Sequence, residues 1–257
     1  MSTFLLLSFS GGILGQGSES LRGTSPAISP NGSPSARNCR ILYVGFVGGL
    51  EPPNNKHSGV VQIRQLLQSN AYPDVCAKSF SPYAWNEGRA WLFQHFPAHH
   101  GPLTADEVRH SPKVILVGHS MGGWAIVSLA RELRSHGIPV ELTVQVDSVG
   151  IADYTVPRNV KSAAIFHTND VLVFMTTKHL RAEDPAHTKI IANVKVAGVG
   201  HESITRDPRI RDLVLNTIET LRLSYASGPS ADGARTVSQG ARVPPQTDRL
   251  VLEPGFP

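Results

Sequence analysis

Residues 113–123 read Lys-Val-Ile-Leu-Val-Gly-His-Ser-Met-Gly-Gly, and this stretch decides the fold. Its first half, from Val114 to Val117, is a continuous apolar run of the kind found in strands that are buried on both faces. From Met121 to Ser135 the apolar residues recur at helical spacing along one face. The pattern predicts a strand, a tight turn centred on Ser120 and a long helix.

The predicted turn has the residues that a nucleophilic serine needs. A serine hydroxyl is a weak nucleophile at neutral pH unless a base and donors for the developing oxyanion surround it. A sharp bend between a strand and a helix exposes the hydroxyl, and the first N–H groups of the helix point to the same place. Gly118 and Gly122 let such a turn pack without a Cβ clash. Ser120 is therefore the candidate nucleophile, and the backbone N–H of Met121 is a candidate oxyanion donor.

The sequence on both sides of this turn alternates apolar, β-branched runs with amphipathic stretches. Such alternation is typical of a parallel sheet with helices on its faces. The last helix is expected to begin at Asp207 and Pro208, a capping residue followed by a proline in the first turn. The expected strands are 40–44, 75–80, 113–117, 140–146, 160–166 and 191–197, and the other expected helices are 86–96, 121–135 and one that starts near Ser58.

The stretch Gly118-His119-Ser120-Met121-Gly122-Gly123 is similar to the nucleophile elbow of α/β-hydrolase lipases, esterases and thioesterases. The order of elements over residues 40–224 fits the same superfamily, and the chain resembles its bacterial lipase- and esterase-like serine hydrolases. The resemblance implies an α/β-hydrolase fold, with a mostly parallel sheet of about six strands, helices on both faces and little or no lid. It also implies hydrolysis of carboxylic esters or thioesters through an acyl-enzyme, a reaction that requires no cofactor.

His201 lies in a glycine-rich segment, Ala197-Gly198-Val199-Gly200-His201, directly after the last expected strand. Members of the α/β-hydrolase superfamily, which this chain resembles, carry their catalytic histidine in a loop at this point. A general base must come within about 2.6–3.2 Å of the serine oxygen, and flanking glycines give the imidazole room to do so. His201 is therefore the candidate base, whereas His119 is expected to point away from the nucleophile and to support packing.

Two aspartates are candidates for the acid that orients the imidazole. Asp147 follows the strand after the nucleophile helix, and Asp170 follows the next strand. Most of the resembled family uses the later position, whereas a lipase subset uses the earlier one in an Asp-Pro-Val or Asp-Pro-Ala stretch, where this chain has Ser148. Segment 156–160 of this chain resembles a segment that follows the earlier aspartate in a group of bacterial hydrolases. This resemblance favours Asp147, and Asp170 stays the alternative.

The loop after the first strand, Gly45-Phe46-Val47-Gly48-Gly49, is the expected source of a second oxyanion donor. Glycines let a backbone approach a bound carbonyl closely, and the resemblance points to the N–H of Phe46 or Val47. The polar loop 50–57 is expected to rim the acyl pocket. No sizeable insertion separates the later strands, and the longest candidate for a lid, the stretch 172–190, has polar as well as apolar residues. We therefore expect an open, small pocket that suits short or medium acyl esters.

The length of 257 residues suits one α/β domain with some chain to spare. Residues 17–38 and 226–257 are rich in Ser, Gly and Pro. This composition predicts a disordered N-terminal extension over residues 1–38 and a disordered tail over residues 226–257, around a domain at 39–225. The N-terminus is weakly apolar but has no basic residue before Arg22. Because it can be a clipped signal or a simple extension, a cytoplasmic and an exported location both stay open.

The composition of the chain restricts the classes of partner that it is expected to bind. The formal net charge is +4 without runs of like charge, which argues against nucleic acid. No stretch approaches the ~20 apolar residues of a membrane-spanning helix. The expected partner is a small-molecule acyl ester or thioester. The alternative is a catalytically silent α/β-hydrolase domain that binds a ligand or partner, and the oligomeric state stays open.

Histidines and cysteines offer no metal site in the sequence pattern. His95, His99, His100 and His110 are close in sequence, but Pro97 interrupts the helix that would align them. Cys39 and Cys76 lie at or near the starts of two strands that the resembled fold makes neighbours. A disulfide is therefore geometrically possible, although we expect two unpaired thiols.

Overall fold

The structure, a computed structural model, describes residues 39–97, 101–169 and 176–226. The expected N-terminal extension of residues 1–38, and the tail from residue 227 onward, lie outside the described residues. The last helix continues to Ala226, one residue beyond the expected end of the domain.

Six parallel strands form the main sheet, as expected. Their order across the sheet is β2-β1-β3-β4-β6-β8, and every neighbouring pair runs parallel. Two short strands, β5 and β7, pair separately. In chain order the strands are β1 (Ile41–Phe46), β2 (Val75–Phe80), β3 (Lys113–His119), β4 (Val140–Val146), β5 (Thr155–Val156), β6 (Val160–His167), β7 (Arg181–Ala182) and β8 (Lys189–Lys195).

Within the described residues, four helices lie between strands in the chain and a fifth follows the last strand, and one of the five was not expected from the sequence. The helices are α1 (Gly59–Leu67), α2 (Trp85–Phe93), α3 (Ala105–His110), α4 (Met121–Ser135) and α5 (Pro208–Ala226). The unexpected α3 has no buried residue, so apolar periodicity does not mark it; a capping box of Thr104 and Glu107 begins it. The expected end of α2 at residue 96 is wrong, because the N–H groups of His95 and Phe96 bond to carbonyls only three residues back, in turns instead of an α-helix.

The two faces of the sheet form two separate cores because successive strand residues point to opposite sides. In β1, Ile41 and Tyr43 pack into one core, whereas Leu42, Val44 and Phe46 pack into the other. Residues of α1 and α5 cover the first core, and residues of α2 and α4 cover the second. No helix in the described parts of the chain has both the length and the apolar content that crossing a bilayer requires.

Cys39 and Cys76 form a disulfide, so the expectation of two unpaired thiols is wrong. The parallel pairing of β1 with β2 sets Leu42 opposite Cys76, and Cys39 lies two residues before β1. This register brings the two Cα atoms to 5.5 Å, which is a usual separation for bonded cysteines.

The sheet grows in opposite directions from β1, since β2 lies on one side of it and β3 on the other. At such a point the loops that leave the carboxyl ends of neighbouring strands separate and open a crevice. The loops after β1, β3, β4, β6 and β8 all leave this same edge of the sheet.

Candidate active site

Ser120 stands at the turn between β3 and α4 with a backbone conformation that few residues adopt. Its φ is 52° and its ψ is −122°. Three backbone hydrogen bonds hold it there: Ser120 N–H donates to the carbonyl of Val146 at 2.9 Å, and Ser120 O accepts from Gly123 at 2.9 Å and from Val149 at 3.0 Å. A non-glycine residue with such a φ persists only where its surroundings enforce it, and such strained positions concentrate at functional sites.

The two glycines of the turn are required by close backbone approach. A Cβ on Gly118 would lie 2.1 Å from the carbonyl oxygen of Gly122, and a Cβ on Gly122 would lie 2.3 Å from the carbonyl oxygen of Phe46. Both distances are far below van der Waals contact, and both obstacles are backbone atoms. The turn at Ser120 therefore has the packing that the sequence predicts.

His201 and Asp147 meet at the same edge of the sheet. Nδ1 of His201 lies 2.7 Å from Oδ2 of Asp147, whose side chain is fully buried. Because a carboxylate can only accept, Nδ1 carries the hydrogen and the lone pair of the ring is on Nε2. The alternative acid, Asp170, lies outside the described residues.

Thr168, which follows β6, holds the Asp147 carboxylate in place. Its N–H donates to Oδ1 and its hydroxyl to Oδ2, both at 2.8 Å. Burial raises the pKa of the Asp147 carboxyl, but hydrogen bonds from His201 and Thr168 outweigh this effect and hold the pKa below its usual range. The carboxylate is thus charged at neutral pH although no water reaches it.

A cavity of about 500 Å³ opens beside these groups. Ser120, Met121 and His201 form one side of it, and the loop after β1 forms much of the other, as expected for the rim. The remaining lining residues are Gly48, Gly49, Leu50, Glu51, Pro52, Asn55, Tyr83 and Glu202.

The N–H of Val47, one of the two expected second oxyanion donors, is already used in a backbone hydrogen bond. The N–H of Val47 donates to the carbonyl of Phe80 at 3.0 Å, so it is not available to a substrate in this conformation. Phe46 and Val47 are fully buried and do not line the cavity, whereas Gly48 and Gly49 do. The pairing of β1 with β2 extends to Phe46, two residues beyond the predicted end of the strand, and the exposed turn therefore begins later.

Several solved structures have a related architecture but low sequence identity to this chain. Est1E from Butyrivibrio proteoclasticus is 12% identical over 72% of this chain and 90% of that chain, with a TM-score of 0.37. Human thioesterase 2 is 10% identical over 75% and 100%, with a TM-score of 0.39. A putative hydrolase from Agrobacterium vitis S4 is 16% identical over 70% and 88%, with a TM-score of 0.43. No protein-family model and no curated protein matches the chain.

The order of the parallel strands and the strained serine turn between β3 and α4 decide the architecture. The chain has the α/β-hydrolase fold. In this α/β-hydrolase fold the serine, histidine and aspartate candidates come from the loops after the third, last and fourth strands of the main sheet in chain order.

Two supporting residues of this α/β-hydrolase fold were not singled out from the sequence. Thr168 holds Asp147, as described above. Asp153 is fully buried and accepts hydrogen bonds from Ser148 at 2.5 Å and from Thr177, which fastens the residue after Asp147. Hydroxyl residues directly after an aspartate or after the neighbouring strand are a weak signal for such support, because they are common in loops.

His119 supports packing, as expected, and it also contacts the histidine loop. Its side chain is fully buried, and Nε2 lies 2.9 Å from the carbonyl oxygen of His201. The two imidazole rings lie 4.7 Å apart. On the opposite side, Nδ1 of His119 faces Oε2 of Glu51 at 3.5 Å.

Proposed function

We propose that this protein is a serine hydrolase that cleaves carboxylic esters or thioesters through an acyl-enzyme. The observation that carries the proposal is the 2.7 Å contact between His201 Nδ1 and Asp147 Oδ2 beside a cavity lined by Ser120 and His201. It leaves the lone pair of the imidazole on Nε2, where a general base needs it. The strained backbone of Ser120 supports the same interpretation.

In the proposed reaction the Ser120 oxygen attacks the substrate carbonyl carbon while Nε2 of His201 takes the hydroxyl proton. The tetrahedral intermediate collapses, and the imidazolium returns this proton to the departing alcohol or thiol. Water then attacks the acyl-enzyme and gives its proton to His201. Breakdown of the second intermediate releases the acid and regenerates the Ser120 hydroxyl.

Asp147 stays ionised throughout and stabilises the imidazolium. Its low pKa supports this role, since a protonated carboxyl would not favour the charged ring. The backbone N–H of Met121, at the start of α4, is the proposed first oxyanion donor. The N–H of Gly49 is the proposed second donor, because Gly49 lines the cavity with Ser120, whereas the N–H of Gly48 already donates to Oε2 of Glu51 at 3.1 Å.

A fluorophosphonate probe tests the proposal, because it reacts with activated serines only. The wild-type protein is compared with Ser120→Ala and with Ser128→Ala, a matched control variant at a serine further along α4. We expect labelling of wild type and Ser128→Ala, mapped to Ser120 by peptide mass spectrometry. Labelling should be lost in Ser120→Ala and weakened in His201→Ala.

Absence of labelling in folded wild-type protein would contradict the proposal. It would favour a catalytically silent α/β-hydrolase domain that binds a ligand or a partner. Labelling at another serine, unchanged in Ser120→Ala, would contradict the assignment of the nucleophile.

A further inference from the structure

The imidazole of His119 has one nitrogen whose role the proposed reaction does not explain. Nε2 lies 2.9 Å from the carbonyl oxygen of His201, and a carbonyl can only accept a hydrogen bond. Nε2 therefore carries the hydrogen and donates it. In the neutral ring this leaves Nδ1 as a bare lone pair, which is fully buried and has no hydrogen-bond partner in the described part of the chain.

A carboxylate faces that lone pair. Oε2 of Glu51 lies 3.5 Å from Nδ1, and only 9% of the Glu51 side chain is exposed. Oε2 of Glu51 also accepts a hydrogen bond from the N–H of Gly48 at 3.1 Å, and Oε1 accepts one from the side chain of Asn55 at 2.9 Å, as carboxylate oxygens do. Two electron-rich atoms thus face each other in a nearly dry site, which is unfavourable unless a cation lies between them.

The spacing favours a metal ion over a shared proton. A charge-assisted hydrogen bond between nitrogen and a carboxylate spans about 2.7–2.9 Å, which is shorter than the observed distance. Two ligands that each lie about 2.1 Å from a tetrahedral Zn²⁺ stand about 3.4 Å apart. The 3.5 Å between Nδ1 and Oε2 matches the second arrangement.

Glu202, next to His201, supplies a third ligand. One carboxylate oxygen each from Glu51 and Glu202, together with a ring nitrogen of His119, lie within 4.8 Å of one another. Glu51 and Glu202 both line the cavity that contains Ser120. We propose that Glu51, His119 and Glu202 bind one divalent transition-metal ion of the Zn²⁺ type, with its open coordination position toward the cavity.

The donor set indicates the class of ion. One imidazole and two carboxylates suit Zn²⁺, whereas Mg²⁺ and Ca²⁺ prefer oxygen ligands alone. A bound ion would tie the loop after β1, through Glu51, to the loop after β8, through Glu202. These loops carry Gly48 and His201, so the ion would stiffen two walls of the cavity.

Among the residues that the structure describes, other groups of possible metal ligands do not form a comparable site. Cys39, Cys76 and His95 also converge, but the two sulfur atoms are bonded to each other and cannot act as thiolates. Nδ1 of His95 and of His110 each lie 2.9 Å from a carbonyl oxygen four residues earlier. His99 and His100, the other members of that sequence cluster, lie outside the described residues.

Zn²⁺ titration of the full-length, tag-free, chelator-treated protein tests the proposal. Isothermal titration calorimetry and thermal unfolding are followed together near neutral pH, without substrate. We expect binding of one Zn²⁺ per chain and a higher melting temperature, since a ligand that binds only the folded state stabilises it. Glu202→Gln and His119→Gln should each weaken binding by at least about tenfold, because even the loss of a group that only hydrogen-bonds to a metal ligand costs about 10–100-fold in metal affinity.

Matched variants locate the ion. His187→Gln, at an exposed histidine that also contacts a carboxylate, should bind Zn²⁺ like wild type. His201→Gln should do so as well, because His201 is not one of the three ligands. Glu202 is exposed, so Glu202→Gln remains informative if His119→Gln does not fold.

Two results would overturn the proposal. One is no saturable binding by wild type up to about 1 mM Zn²⁺, which corresponds to negligible affinity. The other is binding that Glu202→Gln retains and His201→Gln loses, which would place the ion on the proposed catalytic histidine. Ser120→Ala should bind Zn²⁺ unchanged, so the outcome does not depend on the hydrolase proposal.

Discussion

At Asp147, burial and hydrogen bonding act on one carboxyl group in opposite directions. The group is inaccessible to water, yet three hydrogen bonds from His201 and Thr168 favour its charged form. The net effect lowers its pKa. The chemistry proposed for this protein depends on that balance, because an imidazolium beside a neutral acid would lose its stabilising charge.

The first residue-scale prediction concerns the choice of acid. Asp147→Asn should reduce kcat for a short p-nitrophenyl ester by about 10³–10⁴-fold, because an amide in this position can fix the wrong imidazole tautomer. Asp170→Asn should change kcat by no more than a few-fold. Steady-state kinetics on variants with native circular dichroism decide the matter. The reverse pattern would identify Asp170 as the acid, and two mild effects would argue against any such triad.

The second residue-scale prediction follows from the sign of the pKa shift. Because the folded pKa of Asp147 lies below the unfolded one, its ionisation stabilises the folded protein at neutral pH. This contribution should be lost as the pH falls through the folded pKa. Urea unfolding should therefore show a stability gap between wild type and Asp147→Asn that narrows in acid. Ser120→Ala, which keeps the carboxylate, should follow wild type, and a gap independent of pH would contradict the shift.

At the scale of elements, the disulfide joins the chain just before β1 to the start of β2. The two strands are already paired in parallel, with helix α1 between them in sequence. The covalent link restricts the unfolded chain over a sequence separation of 37 residues. It therefore stabilises one edge of the sheet without adding any contact to the site.

Mass spectrometry and unfolding test this link. Non-reduced protein should be lighter than reduced protein by two hydrogens, and Cys76→Ser should lower the free energy of unfolding by about 2–4 kcal/mol. Esterase activity at low temperature should stay within a few-fold of wild type, since neither cysteine lines the cavity. Two alkylatable thiols in freshly purified, folded protein would contradict the prediction.

For the whole molecule, the size of the cavity would limit the acyl group that the proposed hydrolase can bind. A volume of about 500 Å³ holds a short chain together with the reacting ester. Each additional methylene that enters the cavity contributes about 0.8 kcal/mol, whereas methylenes left in water contribute nothing.

The prediction for p-nitrophenyl esters is that kcat/KM rises from acetate to about hexanoate and then stops rising. Laurate should be cleaved no faster than butyrate when both are measured below their solubility limits. Soluble p-nitrophenol release gives the measurement directly. A steady increase up to laurate would show that a longer apolar channel exists than the cavity beside Ser120.

The local pattern of the chain was sufficient for much of this architecture. The elements around Ser120 follow from apolar periodicity and glycine spacing, which act over a few residues. Periodicity could not predict α3, whose residues are not buried, because its beginning depends on Thr104 and Glu107. It also placed the end of α2 three residues too late, since hydrogen bonds and not apolar residues end a helix.

The sequence by itself determined the fold class and the candidate residues Ser120 and His201, since their signals lie in short segments beside predicted strands. It favoured Asp147 but kept Asp170 as an alternative, because both aspartates follow a strand at the same edge of the sheet. Only the tertiary structure brought Asp147 to His201, 54 residues away along the chain. Only the tertiary structure, likewise, joined Cys39 to Cys76 and set Glu51 against His119. Contacts of this kind depend on strand order and register, which no local pattern encodes.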